Sequence, residues 1–332
     1  MRSSLITPLS TCCLLFTYGV SAMMSAHIDT LQSPTLLRHL RVHSNGGVQL
    51  EVPILQAAPG SFVIASGIEK FENWSTENHK SSFSILQRIA SHWNGRDFLL
   101  YGHIDRAKEE PFSWEVVPYE KTSHLLSRFW QQIKVVYRLF FSALYLGEAA
   151  REEQRQQSQP IAHMQDLSDE GCSPDLGTNA TKGTDPFCLP EKINNQLVKE
   201  TEKIHLLYNY APQGVGETKL HFLFTPKVHR QKISELTREE YAEMMQLTAF
   251  VIDKLSQEFP HISDIYLYGK EGKDAGQTVD HAHLHLVATL GQSNDWISKL
   301  RLVENMVLAP SPLSPSELRE QVSRFSTMFS NP

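Results

Sequence analysis

The chain has 332 residues, enough for one large or two ordinary domains. With 41% hydrophobic and 20% charged residues it has the composition of a globular protein. A formal net charge of −6 argues against nucleic acid held on a broadly basic surface.

The first 22 residues have two readings. Arg2, a moderately apolar run and the small pair Ser21-Ala22 are arranged like a secretory signal. Pro8 and several hydroxyls make that run thin for a membrane span. Met23 and Met24 follow directly, so a true start there is the other reading. Either way the segment is excluded from the fold, and no membrane segment is expected in the mature chain.

Residues 35–146 read as a first domain. Residues 48–55 alternate like a strand, and Phe62-Val63-Ile64-Ala65 is a short apolar run. Helical spacing runs from about Ser81 to Trp93. Residues 97–102 and 114–119 read as strands, and a long helix from Ser123 to about Leu146 closes the unit. Residues 147–187 are charged, glutamine-rich and then rich in Ser, Asp, Gly and Thr, which reads as a polar linker or insertion.

Residues 188–332 repeat the order of the first domain. Strands are expected at 204–210 and 220–224, with a glycine-rich turn between them. Thr237 and Glu240 have capping-box spacing and open a helix to about Phe259. Residues 264–269 form a strand, followed by a loop, a strand rich in histidine, residues 296–308, a Pro/Ser break and a helix from Ser316. Asp97-Phe98-Leu99-Leu100-Tyr101-Gly102-His103 matches Asp264-Ile265-Tyr266-Leu267-Tyr268-Gly269-Lys270 at four of seven positions. That match suggests an internal duplication. It sets His283 against Glu115 or Val116 and His229 against Glu69, so the first copy has no histidine row and would be catalytically silent.

The chemistry concentrates in Asp280-His281-Ala282-His283-Leu284-His285-Leu286-Val287. On a strand His281, His283 and His285 share one face while Ala282, Leu284 and Leu286 enter a core on the other. On a helix they would be spread over about 400 degrees. The preceding loop, residues 268–279, holds three glycines and two lysines. Glycines let backbone N–H groups approach an anion closely, which points to chemistry on a phosphate. The ordinary alternative is a solvated face of an edge strand. Two histidines two residues apart can also share a metal ion. No acidic or cysteine cluster accompanies them in the sequence, so no metal and no cofactor is expected. Cys12, Cys13, Cys172 and Cys188 lack zinc-like spacing and read as incidental; a Cys172–Cys188 disulfide would need an oxidising compartment.

Residues 275–287, Ala-Gly-Gln-Thr-Val-Asp-His-Ala-His-Leu-His-Leu-Val, resemble the signature of the histidine triad proteins, nucleotide hydrolases and transferases. Residues 220–229 resemble the segment ending Pro-Lys-x-His that supplies a fourth active-site histidine, here His229. The resemblance covers roughly residues 190–290. It implies an α+β fold of two similar halves, each an antiparallel sheet with helices, forming a pseudo-dimer within one chain, either monomeric or a homodimer. It implies a nucleotide as substrate and His283 as nucleophile, giving a nucleotidyl-histidine intermediate on an α-phosphate. His281 and His285 would bind phosphate oxygens and help protonate the leaving group, and His229 would complete the clamp. Gly276, Gln277, Thr278 and Lys270 would meet the phosphate or leaving group.

The pattern departs from the family at several places. Lys270 stands where small members carry Asn, and the aromatic tail of one branch is missing. Uridylyltransferase and phosphorylase relatives usually end the triad with Gln where this chain has His285, which favours hydrolysis. The alternatives are a nucleotidyltransferase or dinucleoside-polyphosphate phosphorylase, and a non-catalytic nucleotide-binding protein. Nucleotide chemistry belongs in the cytosol, which tips the N-terminal segment toward a start at Met23–Met24 and a cytoplasmic location; a signal would send the chain to the periplasm or outside.

Overall fold

The computed structural model describes residues 39–45, 47–53, 57–67, 70–108, 110–145, 185–214, 219–291, 303, 306 and 310–330. Both readings of residues 1–22, most of the polar segment 147–187, Cys12, Cys13, Cys172, the centre of the turn at 215–218 and most of 296–308 lie outside these residues.

Among the described residues, ten strands form a single antiparallel sheet. They are β1 (His39–Asn45), β2 (Val48–Pro53), β3 (Phe62–Ser66), β4 (Phe98–Asp105), β5 (Ser113–Pro118), β6 (Leu197–Glu200), β7 (Ile204–Tyr208), β8 (Leu220–Pro226), β9 (Ile262–Glu271) and β10 (Leu284–Leu290). The order across the sheet is β1-β2-β3-β5-β4-β9-β10-β8-β7-β6. The α-helices are α1 (Thr76–His92), α2 (Leu125–Tyr145), the short α3 (Pro190–Asn194), α4 (Arg238–Glu258) and α5 (Pro315–Ser330). The fold is α+β, as the sequence implies.

The two halves have the same plan: three strands, a helix, two strands, a helix. They meet edge to edge where β4 pairs with β9, with Tyr101 opposite Tyr268. These are the residues that the sequence comparison aligns, so each Tyr faces its own counterpart across a pseudo-two-fold. The ladders also correct that comparison further along. Tyr101 pairs with Glu115 while Tyr268 pairs with His285, so Glu115 is the counterpart of His285. Two residues earlier Ser113 takes the place of His283, not Glu115 or Val116. The β4–β5 connection is shorter than the β9–β10 connection, and a gap of that size is invisible to a short alignment.

Local chemistry explains the helix starts. Ser75 and Asn78 form a reciprocal capping box, so α1 begins five residues before its apolar spacing shows. Thr237 and Glu240 cap α4 in the same way, as expected. Phe83 of α1 stacks on Tyr241 of α4 at 4.6 Å, locking the helices of the two halves together. Phe325 and Phe329 of α5 are buried against Phe222 on β8. Each such large buried side chain contributes roughly 1.5–3 kcal/mol. Under these helices lie Leu50, Ile64, Leu100, Trp114, Phe224, Leu267, Leu284 and Leu286. Side chains alternate along strands, so Tyr101, Tyr268 and His285 stand on the opposite face. No helix among the described residues is long and apolar enough to cross a membrane.

Removing the first half would expose β9 as a long edge of unpaired backbone groups. Residues 185–332 produced alone should therefore self-associate or lose stability. Analytical ultracentrifugation checks this; a well-folded monomer would contradict the role given to the β4·β9 seam.

Candidate active site

The three triad histidines do not share one strand. β10 begins at Leu284, and only His285 belongs to it. Ala282 gives its N–H to the Arg230 carbonyl at 2.6 Å, and its own carbonyl accepts from the Thr225 hydroxyl at 3.0 Å. Its backbone is thus bound to a loop and a side chain, and the ladder to β8 starts with Leu284 opposite Phe224. The expected alternation still holds: Ala282, Leu284 and Leu286 are in the core.

His285 stacks on Tyr268 of β9 at 4.3 Å. Its Nδ1 lies 2.9 Å from Nε2 of His221 on β8. Nδ1 of His221 accepts the Gln213 backbone N–H at 2.8 Å. That nitrogen therefore carries no proton, so His221 is protonated at Nε2 and donates to His285. His285 is then left with its proton on Nε2, as a donor. Asn209 Nδ2 is 3.2 Å from both nitrogens of His221, which places it over the ring rather than along a lone pair. Burial lowers the pKa of His221 to about 3 and that of His285 well below the usual histidine range.

His283 is buried. Its Nδ1 lies 2.7 Å from the His281 carbonyl oxygen. A carbonyl only accepts, so Nδ1 carries the proton and Nε2 holds a lone pair. No hydrogen bond to Nε2 exists among the described residues. Burial lowers the pKa to about 4, which favours the neutral ring near pH 7. The edges of the His285 and Phe187 rings meet it at 4.9 and 5.5 Å.

His281 and His229 turn toward a different partner. Their Nδ1 atoms are 2.6 and 2.9 Å from Oδ2 of Asp185. Cys188 Sγ lies 3.8 and 3.6 Å from the same two nitrogens. Nε2 of His281 lies 3.0 Å from the Pro226 carbonyl. Burial opposes ionisation of Asp185, but hydrogen bonds from His281 and Cys188 outweigh it and hold the carboxyl well below its usual range. Asp185 is the N-cap of the 3₁₀ turn Pro186–Cys188, and Cys188 is its last residue. The polar segment thus ends before Asp185, and these residues belong to the site rather than to a linker.

One ligand atom from each of Asp185, Cys188, His229 and His281 lies within 4.8 Å of the others. A carboxylate, a thiol and two imidazoles suit a divalent ion such as Zn²⁺. The Pro226 carbonyl would then receive the proton on Nε2 of His281 and leave Nδ1 for the metal, the usual support for such a ligand. The expectation of no metal rested on the lack of acidic and cysteine ligands beside the histidines. The fold supplies both, from 44 and 96 residues away in the case of Asp185. Cys188 is accordingly not incidental.

The glycine loop also differs in part from its reading. Gln277 is not available to a phosphate. Its Oε1 accepts from the Gly272 N–H at 2.7 Å, and its Nε2 donates to the Gln231 carbonyl at 2.8 Å. Gly276 has a φ of +87°, open to glycine and strained for other residues. Thr278 is exposed. Lys270 donates to the Met306 carbonyl at 2.7 Å, and burial lowers its pKa to about 8.

His221 is a functional candidate outside the residues that the sequence singled out, and His229 is not the fourth member of the His283–His285 group. The only sequence signal was strand parity: His221 pairs with Val287, so it shares a face with His285 two residues away.

This fold and this histidine arrangement define a histidine triad, or HIT, domain. Residues 191–291 match the HIT domain family and form that domain here. Bis(5'-adenosyl)-triphosphatase of Dictyostelium discoideum is 27% identical over 135 residues, covering 41% of this chain and 86% of the relative. The structure of the Plasmodium falciparum diadenosine triphosphate hydrolase is 21% identical, covers 41% of this chain and 77% of its own, and superposes with a TM-score of 0.32. A galt-like protein of Arabidopsis thaliana is 9% identical and covers 86% of this chain and 87% of its own, with a TM-score of 0.48.

If the Asp185 cluster holds a metal, the chain should bind one equivalent of Co²⁺ with a thiolate-to-metal charge-transfer band. Cys188→Ser should remove the band, and Asp185→Asn should weaken binding about tenfold or more. Titration followed by absorbance checks both; no band in the unaltered chain would exclude the cluster as a metal site.

Proposed function

We propose that the chain is a nucleotidyl hydrolase that cleaves a phosphoanhydride or phosphoramidate bond at a nucleotide α-phosphate through an adduct on His283. The observation that carries this reading is the hydrogen bond from His283 Nδ1 to the His281 carbonyl, which leaves a neutral ring with a lone pair on Nε2. Such a ring can attack phosphorus near neutral pH. In the first step the N–P bond forms and the bond to the leaving phosphate or amine breaks. In the second, water attacks the adduct, the N–P bond breaks, and His283 returns to its starting form. The fixed proton on His285 Nε2 would donate to a phosphate oxygen, and Lys270 would offset developing negative charge. Thr278 and the Gly276 backbone would bind the rest of the phosphate chain.

The family match and the curated triphosphatase relative support a dinucleoside polyphosphate as substrate. His285 at the end of the triad supports hydrolysis over transfer. A metal at Asp185, Cys188, His229 and His281 would have four protein ligands, the set of a structural site. It would stiffen the segment before His283 and leave the attack to the imidazole. The shared element order and the Tyr101–Tyr268 seam support descent of the halves from one duplicated unit of which the second kept the histidines.

Intact-mass spectrometry after brief exposure to diadenosine triphosphate tests the reading. The unaltered chain should gain one adenylyl mass. His283→Ala should show no adduct and a turnover lower by about 10⁴-fold. Orthophosphate added to the same reaction should yield no new nucleotide product; its appearance would mean a phosphorylase. No adduct and no turnover, with nucleotide still bound, would mean a binding protein.

A pH profile tests Lys270 separately. Its side chain is cationic below about pH 8 and neutral above. kcat/KM should therefore fall as pH rises through about 8, and Lys270→Gln should start lower and lose that limb. A profile unchanged in the variant would remove Lys270 from the site.

A further inference from the structure

The backbone N–H, the carbonyl and the carboxylate of Asp274, in the glycine loop of the second half, are all held by the first half. Its N–H donates to Asp97 Oδ2 at 2.8 Å. Its carbonyl accepts from Gln132 Nε2 at 3.1 Å. Its carboxylate accepts from Arg128 Nε at 2.8 Å. Arg128 is itself anchored, since Nη2 donates to the Thr122 carbonyl at 3.0 Å. The Arg128–Asp274 pair is 26% and 10% exposed, so water screens it only in part.

The steric evidence agrees. A Cβ at Gly272 would collide with the Asp97 carboxylate, and one at Gly276 would sit 3.1 Å from the Gln132 amide. The loop is therefore moulded against the start of β4 and the first turns of α2. It is also tied to the nucleophile. Gln277 bridges Gly272 N–H to the carbonyl oxygens of Gln231 and, at 3.4 Å, His281. That His281 oxygen is the one that accepts from His283 Nδ1.

We propose that the first half, which has no histidine row, is a positioning element of the site: Asp97, Arg128 and Gln132 grip Asp274 and so hold the glycine loop in the shape that presents Gly276 and Thr278 to the phosphate chain. The proposal rests on the nucleotide reading for its ligand, while the grip itself stands on the geometry. Arg128 is a positioning residue, since its guanidinium bonds Asp274 and the Thr122 carbonyl.

The test uses the full chain with Arg128→Ala, Asp274→Ala, the double variant, and Arg106→Ala as a control. Arg106 pairs with Glu72 inside the first half. Hydrogen exchange reads the loop directly, because the amides of Gly272, Asp274, Gly276 and Gln277 are all hydrogen-bonded. Arg128→Ala should speed exchange in residues 272–278 about tenfold or more and leave β7, β8 and the control variant unchanged. With diadenosine triphosphate its KM should rise about tenfold with kcat within about threefold, and the double variant should be no worse than the worse single variant. Unchanged loop exchange, or an equal rise throughout both halves, would overturn the proposal. If the unaltered chain turns over no nucleotide, the proposed reaction fails while the loop exchange still decides the grip.

Discussion

The pairing of β4 with β9 is the contact on which the rest of the molecule depends. It turns two five-stranded units into one sheet and removes the edge that each would expose. Because Tyr101 lies opposite Tyr268, the join sits on the pseudo-two-fold, and each half is placed by the other's backbone. The same join brings Asp97 and α2 against the loop after β9. A site whose histidines all lie in the second half is thus walled by the first.

Within the site, proton positions are set by acceptors that cannot change role. A carbonyl fixes Nδ1–H on His283, and a backbone N–H fixes the bare Nδ1 on His221, and with it the proton order through His285. Burial adds to this by disfavouring charge on all three rings. The result is a set of neutral imidazoles with assigned donors and lone pairs. His281 and His229 have the opposite surroundings, a carboxylate and a thiol, which suit a cation. One short segment therefore serves two electrostatic environments, divided by the backbone of residue 281.

Much of this was legible in the chain. The period-two histidines, the apolar residues between them and the glycine loop were enough to locate the histidine cluster. The Asp97 and Asp264 segments revealed the repeated plan, and Thr237 with Glu240 marked the start of α4. These are local signals, carried by residues within one element, where side-chain parity and capping chemistry act over a few positions.

The failures were contacts between elements. Asp185 and Cys188 lay in a stretch whose composition reads as linker, and nothing local ties them to His281. His221 carried no local signal because its partner lies on another strand, and Gln277 looked available because its backbone partners are set by the folded loop. The sequence by itself determined the alternation of histidine and apolar residues, most of the strands and helices and the likeness of the halves, while the short edge strands β1 and β6 carried no clear period. Only the tertiary structure decided which histidine faces which partner, that four distant side chains form a metal-like cluster, and that Asp97, Arg128 and Gln132 of the first half bond Asp274 in the loop. Hydrogen bonds and ion pairs act over about 3 Å, and only the sheet brings residues 90 or more apart in the chain within that reach.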